Sequence, residues 1–139
     1  MQIRYYKEYS RYLNRDMEFK VYGHAGRPIL IFPCQSGRFF DWEDRNMCNL
    51  AAPWIDAGKL QIIAADSIDR ESWDNDGPAR PRIEMQERWY NYVCEELTPR
   101  ALEINREQGP DHMGKVLVGG ASMGAGHAVN LLFAPSRPV

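Results

Sequence analysis

No run in the 139-residue sequence approaches the ~20 consecutive apolar residues that a membrane-spanning helix needs. The N-terminal stretch Met1 to Glu8 has no apolar h-region, so it reads as lacking a secretory signal. Cysteine is scarce. Cys34, Cys48 and Cys94 are far apart and odd in number, and they make neither a disulfide framework nor a zinc pattern. They read as reduced, structural thiols of a cytoplasmic protein. Neither charge sign dominates: Lys+Arg number 17 against Asp+Glu 19, and the basic residues are scattered, which argues against nucleic acid as a partner. No metal, cofactor or membrane partner is expected. Internal repeats, low-complexity segments and domain linkers are missing as well.

The apolar residues are patterned. Residues 2–10 alternate loosely and suit an edge strand or an ordered arm. In Asp16 to Tyr22 the residues Met17, Phe19 and Val21 share one face and Glu18 and Lys20 the other, as in a half-buried antiparallel strand. Pro28 to Pro33 and Leu60 to Ala65 are apolar on both faces, as strands covered on both sides should be. Between them, Asp44 to Ala57 has helical spacing with Met47, Leu50, Ala51, Trp54 and Ile55 as its apolar set, broken or kinked at Pro53. Arg82 to Thr98 is a second helix. Its stripe is Ile83, Tyr90, Val93 and Leu97, widened by Met85, Trp89 and Tyr92, and Pro99 should end or kink it. Gln108-Gly109-Pro110 reads as loop and Lys115 to Gly119 as the last strand. Strand and helix alternate after residue 28, which argues for an α/β fold: a mostly parallel sheet with helices on both faces.

The last strand leads into Gly120-Ala121-Ser122-Met123-Gly124, and a helix-compatible run, Ala125 to Phe133, follows. Strand, tight turn with serine, helix is the order of a nucleophile elbow. A serine hydroxyl attacks an acyl carbon when it is exposed at a rigid point, has a base within reach and has donors for the oxyanion. The turn supplies exposure and leaves the Met123 N–H free at a helix N-terminus. A second donor is expected from the loop Pro33 to Arg38, through Gln35 or Ser36, with Gly37 permitting close approach. One alternative is a Gly/Ser/Ala-rich turn that merely lets helix and strand pack closely. A phosphate-binding loop is excluded, because Ala125-Gly126 stands where Lys-Ser/Thr is required.

The sequence resembles the α/β-hydrolase fold, and within it the esterase group that includes esterase D-like enzymes. The resemblance rests on Arg15 to Glu18, Pro28 to Phe40, Asp66 to Asp69 with Glu71 to Trp73, and Gly120 to Gly124 with His127 to Asn130, and it covers about residues 1–133. It implies a partial α/β-hydrolase fold built on the first five strands. It also implies a serine carboxylesterase, or related acyl-ester hydrolase, with Ser122 as nucleophile and with Met123 and a residue near Gln35 as the oxyanion hole. Ser36 and Trp73 are candidate substrate contacts, and Phe39, Phe40 and Trp42 could also line a pocket.

The resemblance breaks at the base. In this fold acid and histidine follow the serine. Here the histidines are His24, His112 and His127. His127 lies five residues past Ser122, a rotation of ~140° on a helix, and points away from it. His24 reads as a solvated turn residue, and His112 lies at the opposite end of the sheet from the elbow. Asp66 and Asp69 suit loop ordering or substrate contact better than a triad role. The tail Ala134 to Val139 carries two prolines and departs from the family, so residues 1–139 read as one incomplete domain, truncated or frame-shifted after the elbow helix. Two readings stay open: an esterase half completed by another chain or by the full-length gene, or an inactive fragment that binds partners. The exposed edge of the last strand would favour a homo-oligomer and poor solubility. Family-like strand, acid and histidine coding in another frame downstream of Val139 is the expected outcome of reading the DNA there, and its lack would overturn the frame-shift reading.

Overall fold

A computed structural model describes residues 1–107 and 114–133. His112, the loop 108–110 and the proline-rich tail lie outside the described residues. Strands β1 (Ile3–Ser10), β2 (Arg15–Tyr22) and β3 (Arg27–Phe32) are followed by three short helices, α1 (Asp41–Asp44), α2 (Met47–Leu50) and α3 (Ala52–Asp56). Strand β4 (Leu60–Ala65), a 3₁₀ turn (Asp69–Glu71), helix α4 (Ala79–Tyr92), a π-helical segment (Val93–Leu97) and α5 (Thr98–Arg106) come next. Strand β5 (Leu117–Gly120) and helix α6 (Met123–Phe133) complete the described elements.

The sheet order is β1-β2-β4-β3-β5. β2 pairs antiparallel with β1 and β4, and β3 pairs parallel with β4 and β5. Four of the five strands therefore run one way and β2 runs against them, so the sheet is mixed with a mostly parallel sense. Alternation along the strands divides the core as the sequence pattern requires. Met17, Phe19, Val21, Leu30, Phe32, Ile63 and Ala65 face α4, α5 and α6. Tyr22, Ile31, Ile62 and Ala64 face Cys48 and Ile55 on the short helices. Among the described residues β5 pairs with β3 alone, and Leu117, Val129, Leu132 and Phe133 are exposed beside it. No described helix is long and apolar enough to cross a membrane.

The helices depart from expectation. The helix at 44–57 is broken into pieces, because Asn46 adopts a left-handed φ of 63°. Pro53 falls in the first turn of α3, where a missing N–H leaves no gap. The breaks re-phase the apolar set: Cys48 and Ile55 are buried, while Leu50 and Trp54 are exposed.

Pro99 does not end the second helix, which continues to Arg106. The π segment precedes it, and the Thr98 backbone N–H and hydroxyl both donate to the Val93 carbonyl. The wider turn there takes up the register that proline would otherwise break. The buried stripe is Gln86, Trp89, Tyr92, Val93 and Leu97, and Ile83, in the first turns of α4, is exposed. Trp89 sits at the centre of this face, stacked edge-on against Phe32, with its indole N–H on the Asp66 carbonyl at 3.1 Å. Trp89→Ala is expected to destabilise by about 3–5 kcal/mol, read from the urea midpoint at unchanged slope.

Candidate functional site

Two parallel strands bring the site together. Gly119 and Gly120 of β5 lie opposite Ile31 and Phe32 of β3. Both strands therefore end at the same edge, and the elbow emerges beside the loop that starts at Pro33. The glycines make the approach possible. A Cβ on Gly124 would lie 2.2 Å from the Phe32 carbonyl oxygen and 2.6 Å from that of Pro33. A Cβ on Gly120 would lie 2.5 Å from the Gly124 backbone. Ser122 takes a φ of 56°, a left-handed value that serine adopts under strain, and it is exposed. Its hydroxyl has no hydrogen-bond partner among the described residues. Met123 opens α6, and its N–H likewise points to no described acceptor, as the first N–H groups of a helix do.

The loop after β3 is pinned at three of its amides. The Cys34 N–H donates to Asp41 Oδ2 at 3.1 Å, the Ser36 N–H to Asp69 Oδ2 at 3.0 Å, and the Gly37 N–H to the Cys34 carbonyl at 2.9 Å. The Ser67 hydroxyl holds the Gly37 carbonyl at 2.6 Å. Pro33 has no N–H. The Gln35 N–H is left unpartnered among the described residues, on an exposed residue beside the elbow. Of the two candidates for the one donor expected from this loop, the Ser36 N–H is engaged and the Gln35 N–H has no acceptor among the described residues. The Ser36 hydroxyl is also engaged, donating to Asp74 at 2.6 Å.

A buried polar cluster lies behind the loop. Asp69 Oδ1 is 2.9 Å from His127 Nε2, and the two residues are 2% and 1% exposed. His127 Nδ1 lies 3.5 Å from the Tyr90 hydroxyl, which accepts from Asn130 Nδ2 at 3.0 Å. His127 is therefore a packed residue of α6 turned to Asp69, and the loop-ordering role expected of Asp69 is the one its contacts fit. His24 is half-buried in the β2–β3 turn, at the other edge of the sheet.

Arg38 Nε pairs with Asp66 at 3.0 Å and its Nη2 with Glu18 at 2.9 Å. Burial pushes the Asp66 carboxyl above the ordinary carboxylate range, against the opposing pull of Arg38 and of the Ser67 N–H. Burial also acts to raise Asp41, but the Cys34 N–H and Arg45 outweigh it and hold this carboxyl low. The pairing of Arg38 with Asp66 escaped the sequence, where the two lie far apart. The joint role of Asp69 and His127 escaped it too, and its one signal was an acid just past the carboxyl end of an apolar strand.

Trp73 is separate from this group. It is 54% exposed and lines a cavity of about 410 Å³ with Ile83, Tyr90 and Asn130. Asn130 is eight residues past Ser122, so this groove between α4 and α6 reaches ~12 Å down the helix from the elbow. Ser36 lines a second, polar cavity of about 290 Å³ with Arg38, Ser67, Asp69 and Arg70. Phe39 is buried, and Phe40 packs edge-on against it.

No family model matches the sequence, and no curated protein matches it. Solved structures do. A ferulic acid esterase from the anaerobic fungus Anaeromyces mucronatus matches with a TM-score of 0.67 at 13% identity, over 99% of this chain and 56% of that one. An S-formylglutathione hydrolase from Agrobacterium tumefaciens matches with a TM-score of 0.66 at 19% identity, over 97% of this chain and 54% of that one. The likeness establishes the fold: an α/β-hydrolase-type mixed sheet flanked by helices. The chain spans about half the length of the structures it matches.

Two measurements probe this geometry. Gly124→Ala forces the elbow off the end of β3 and is expected to cost about 1–3 kcal/mol in urea unfolding. Arg15 clamps Glu71, at the end of the 3₁₀ turn, through two bonds of 2.6 and 2.7 Å, and this holds the Glu71 carboxyl below its usual range. A lowered native pKa stabilises above the unfolded value and ceases to as the pH falls through the native one. Both side chains are about two-fifths exposed, so Arg15→Met should cost at most about 1 kcal/mol at neutral pH. The difference from wild type should shrink below about pH 4, as urea midpoints across that range will read.

Proposed function

We propose that Ser122 is the nucleophile of an acyl-ester hydrolase site, with the N–H groups of Met123 and Gln35 as its oxyanion donors. The observation that carries this reading is the exposed left-handed serine at the strand-to-helix turn, followed by the Met123 amide and adjoined by the loop that carries the Gln35 amide, neither with a described acceptor. The esterases that share the fold support the reaction class. In the reaction, Ser122 Oγ bonds to the acyl carbon and the carbonyl oxygen takes up negative charge between the two donors. The ester C–O bond then breaks, the alcohol leaves with the serine's proton, and water releases the acid from the acyl-enzyme. Ser36 at the rim and Trp73 in the α4–α6 groove are the proposed substrate contacts.

The proton transfer needs a base, and the described residues bring none to Ser122. His127 is engaged with Asp69. We propose that acid and histidine come from another chain or the full-length gene product, and that the chain by itself turns over weakly. Loss of a base still leaves residual oxyanion and binding effects of roughly 10³–10⁴ over water. A second reading, an interaction module, is favoured by the unpaired edge of β5 and the exposed Leu117, Val129 and Leu132 beside it. Its proposed occupant is a second copy of this chain.

Mass spectrometry after prolonged treatment with a fluorophosphonate probe should find a slowly formed adduct on Ser122, slow because no described base reaches it, and none on Ser122→Ala. An adduct elsewhere, or none, overturns the nucleophile reading. Turnover of p-nitrophenyl acetate should differ little between the isolated chain and Ser122→Ala, and a large persistent difference would make the chain an autonomous enzyme. Light scattering after gel filtration is expected to show a dimer or larger species, and a stable monomer would sink the interaction reading.

A further inference from the structure

We infer that Asp69 and His127 are positioning residues that set the two oxyanion donors relative to each other; this rests on Ser122 being the nucleophile. The donors sit on different elements. Met123 opens α6, and Gln35 belongs to the loop after β3. One carboxylate touches both elements. Asp69 Oδ2 accepts the Ser36 N–H at 3.0 Å, and Oδ1 lies 2.9 Å from Nε2 of His127, which is four residues past Met123 on α6. Asp69 and His127 are almost fully buried, so water does not compete for the bond between them, and the Ser36 bond is part-buried.

The hydrogen-bond directions agree with this. Asn130 donates to the Tyr90 hydroxyl, whose own proton is then free to face His127 Nδ1. A carboxylate only accepts, so the 2.9 Å contact fits Nε2 donating to Asp69 Oδ1, with Nδ1 left facing the Tyr90 hydroxyl. The histidine stands as a donor with no acceptor role left for Ser122.

The loop side is equally constrained. The Gly37 N–H to Cys34 carbonyl bond closes a turn with Gln35 and Ser36 at its centre, and Ser36 has a φ of 55°. A left-handed φ at the second central position belongs to a turn in which the central peptide is held one way up, and a residue other than glycine is disfavoured there. The Asp69 bond to the Ser36 N–H opposes the flip that would relieve it. Gln35 then lies between two anchored amides, Cys34 on Asp41 and Ser36 on Asp69, and its own N–H keeps a fixed direction. Donors aimed before the charge develops need no reorganisation when it does.

The test reads the loop and the serine separately. In Asp69→Ala the Ser36 amide should exchange with solvent about tenfold faster or more, while the amides of Leu30 and Ile63 in the sheet keep their protection. Fluorophosphonate labelling of Ser122 should slow by about tenfold or more, toward the loss expected from removing one oxyanion donor. Asp69→Asn keeps an oxygen for the Ser36 N–H and can donate to His127 in its other tautomer, so it should recover most of both. His127→Phe fills the ring's space without the donor. It should slow labelling with sheet protection intact, and it serves as the second variant if Asp69→Ala fails to fold. Unchanged Ser36 exchange in Asp69→Ala, or unchanged labelling in both Asp69→Ala and His127→Phe, overturns the inference while leaving the nucleophile reading in place. A wild-type chain with no adduct on Ser122 removes the nucleophile reading, and this inference with it.

Discussion

The backbone of Gly124 rests on the carbonyl oxygens of Phe32 and Pro33, closer than any side chain would permit. The rest of the carboxyl edge depends on that contact. Parallel pairing of β3 and β5 carries the two chain segments to the same edge, but a strand spacing of ~4.8 Å would still leave a Cβ between elbow and loop. Glycine at 120 and 124 removes it. The turn can then be sharp enough to force Ser122 into its left-handed conformation, to expose it, and to start α6 with a free N–H beside the Pro33–Gly37 loop. Strain at Ser122 of ~1–3 kcal/mol is sustained by the packing of the strands and helix around it.

The same close approach puts polar backbone under cover, and the surrounding side chains answer it. Asp41, Asp69 and Ser67 each take one polar group of the loop, and Trp89 takes the Asp66 carbonyl beneath it. Buried carboxylates are unfavourable unless bonded, and here both Asp69 oxygens are. A similar arrangement anchors the opposite end of the sheet, where buried Asn105 bridges the Gly26 carbonyl and Gln61. The apolar faces hold the sheet and helices together, and the polar contacts determine how the loops lie on them.

Periodicity carried the strands well and the helices less well. Met17, Phe19 and Val21 lie on one face, and the doubly apolar runs of β3 and β4 are covered on both, because the pairing register of these strands runs without a break. Helical phase does not. One left-handed residue, Asn46, rotates everything after it, and the π segment at Val93–Leu97 re-phases the stripe that continues from α4 into α5. Ile83 and Trp54 are core positions on an ideal helix and are exposed on the real one. Pro99 reads as a stop in sequence, yet the wider turn before it removes the need for its missing N–H.

The serine turn between β5 and α6 was legible because it is local: five consecutive residues, a preceding strand and a following helix define it, and glycine at two positions is a steric requirement of the bend. That Gln35 rather than Ser36 offers the free amide was open to sequence only as a pair of alternatives. The choice depends on Asp69, thirty-three residues from Ser36, occupying one of them. The engagement of His127 with Asp69 likewise joins residues fifty-eight apart. Short-range order follows from backbone sterics and periodicity, which the sequence by itself determines. The assignment of each donor to its acceptor follows from which buried groups meet once the sheet brings the ends of β3, β4 and β5 to one edge, and only the tertiary structure decides that.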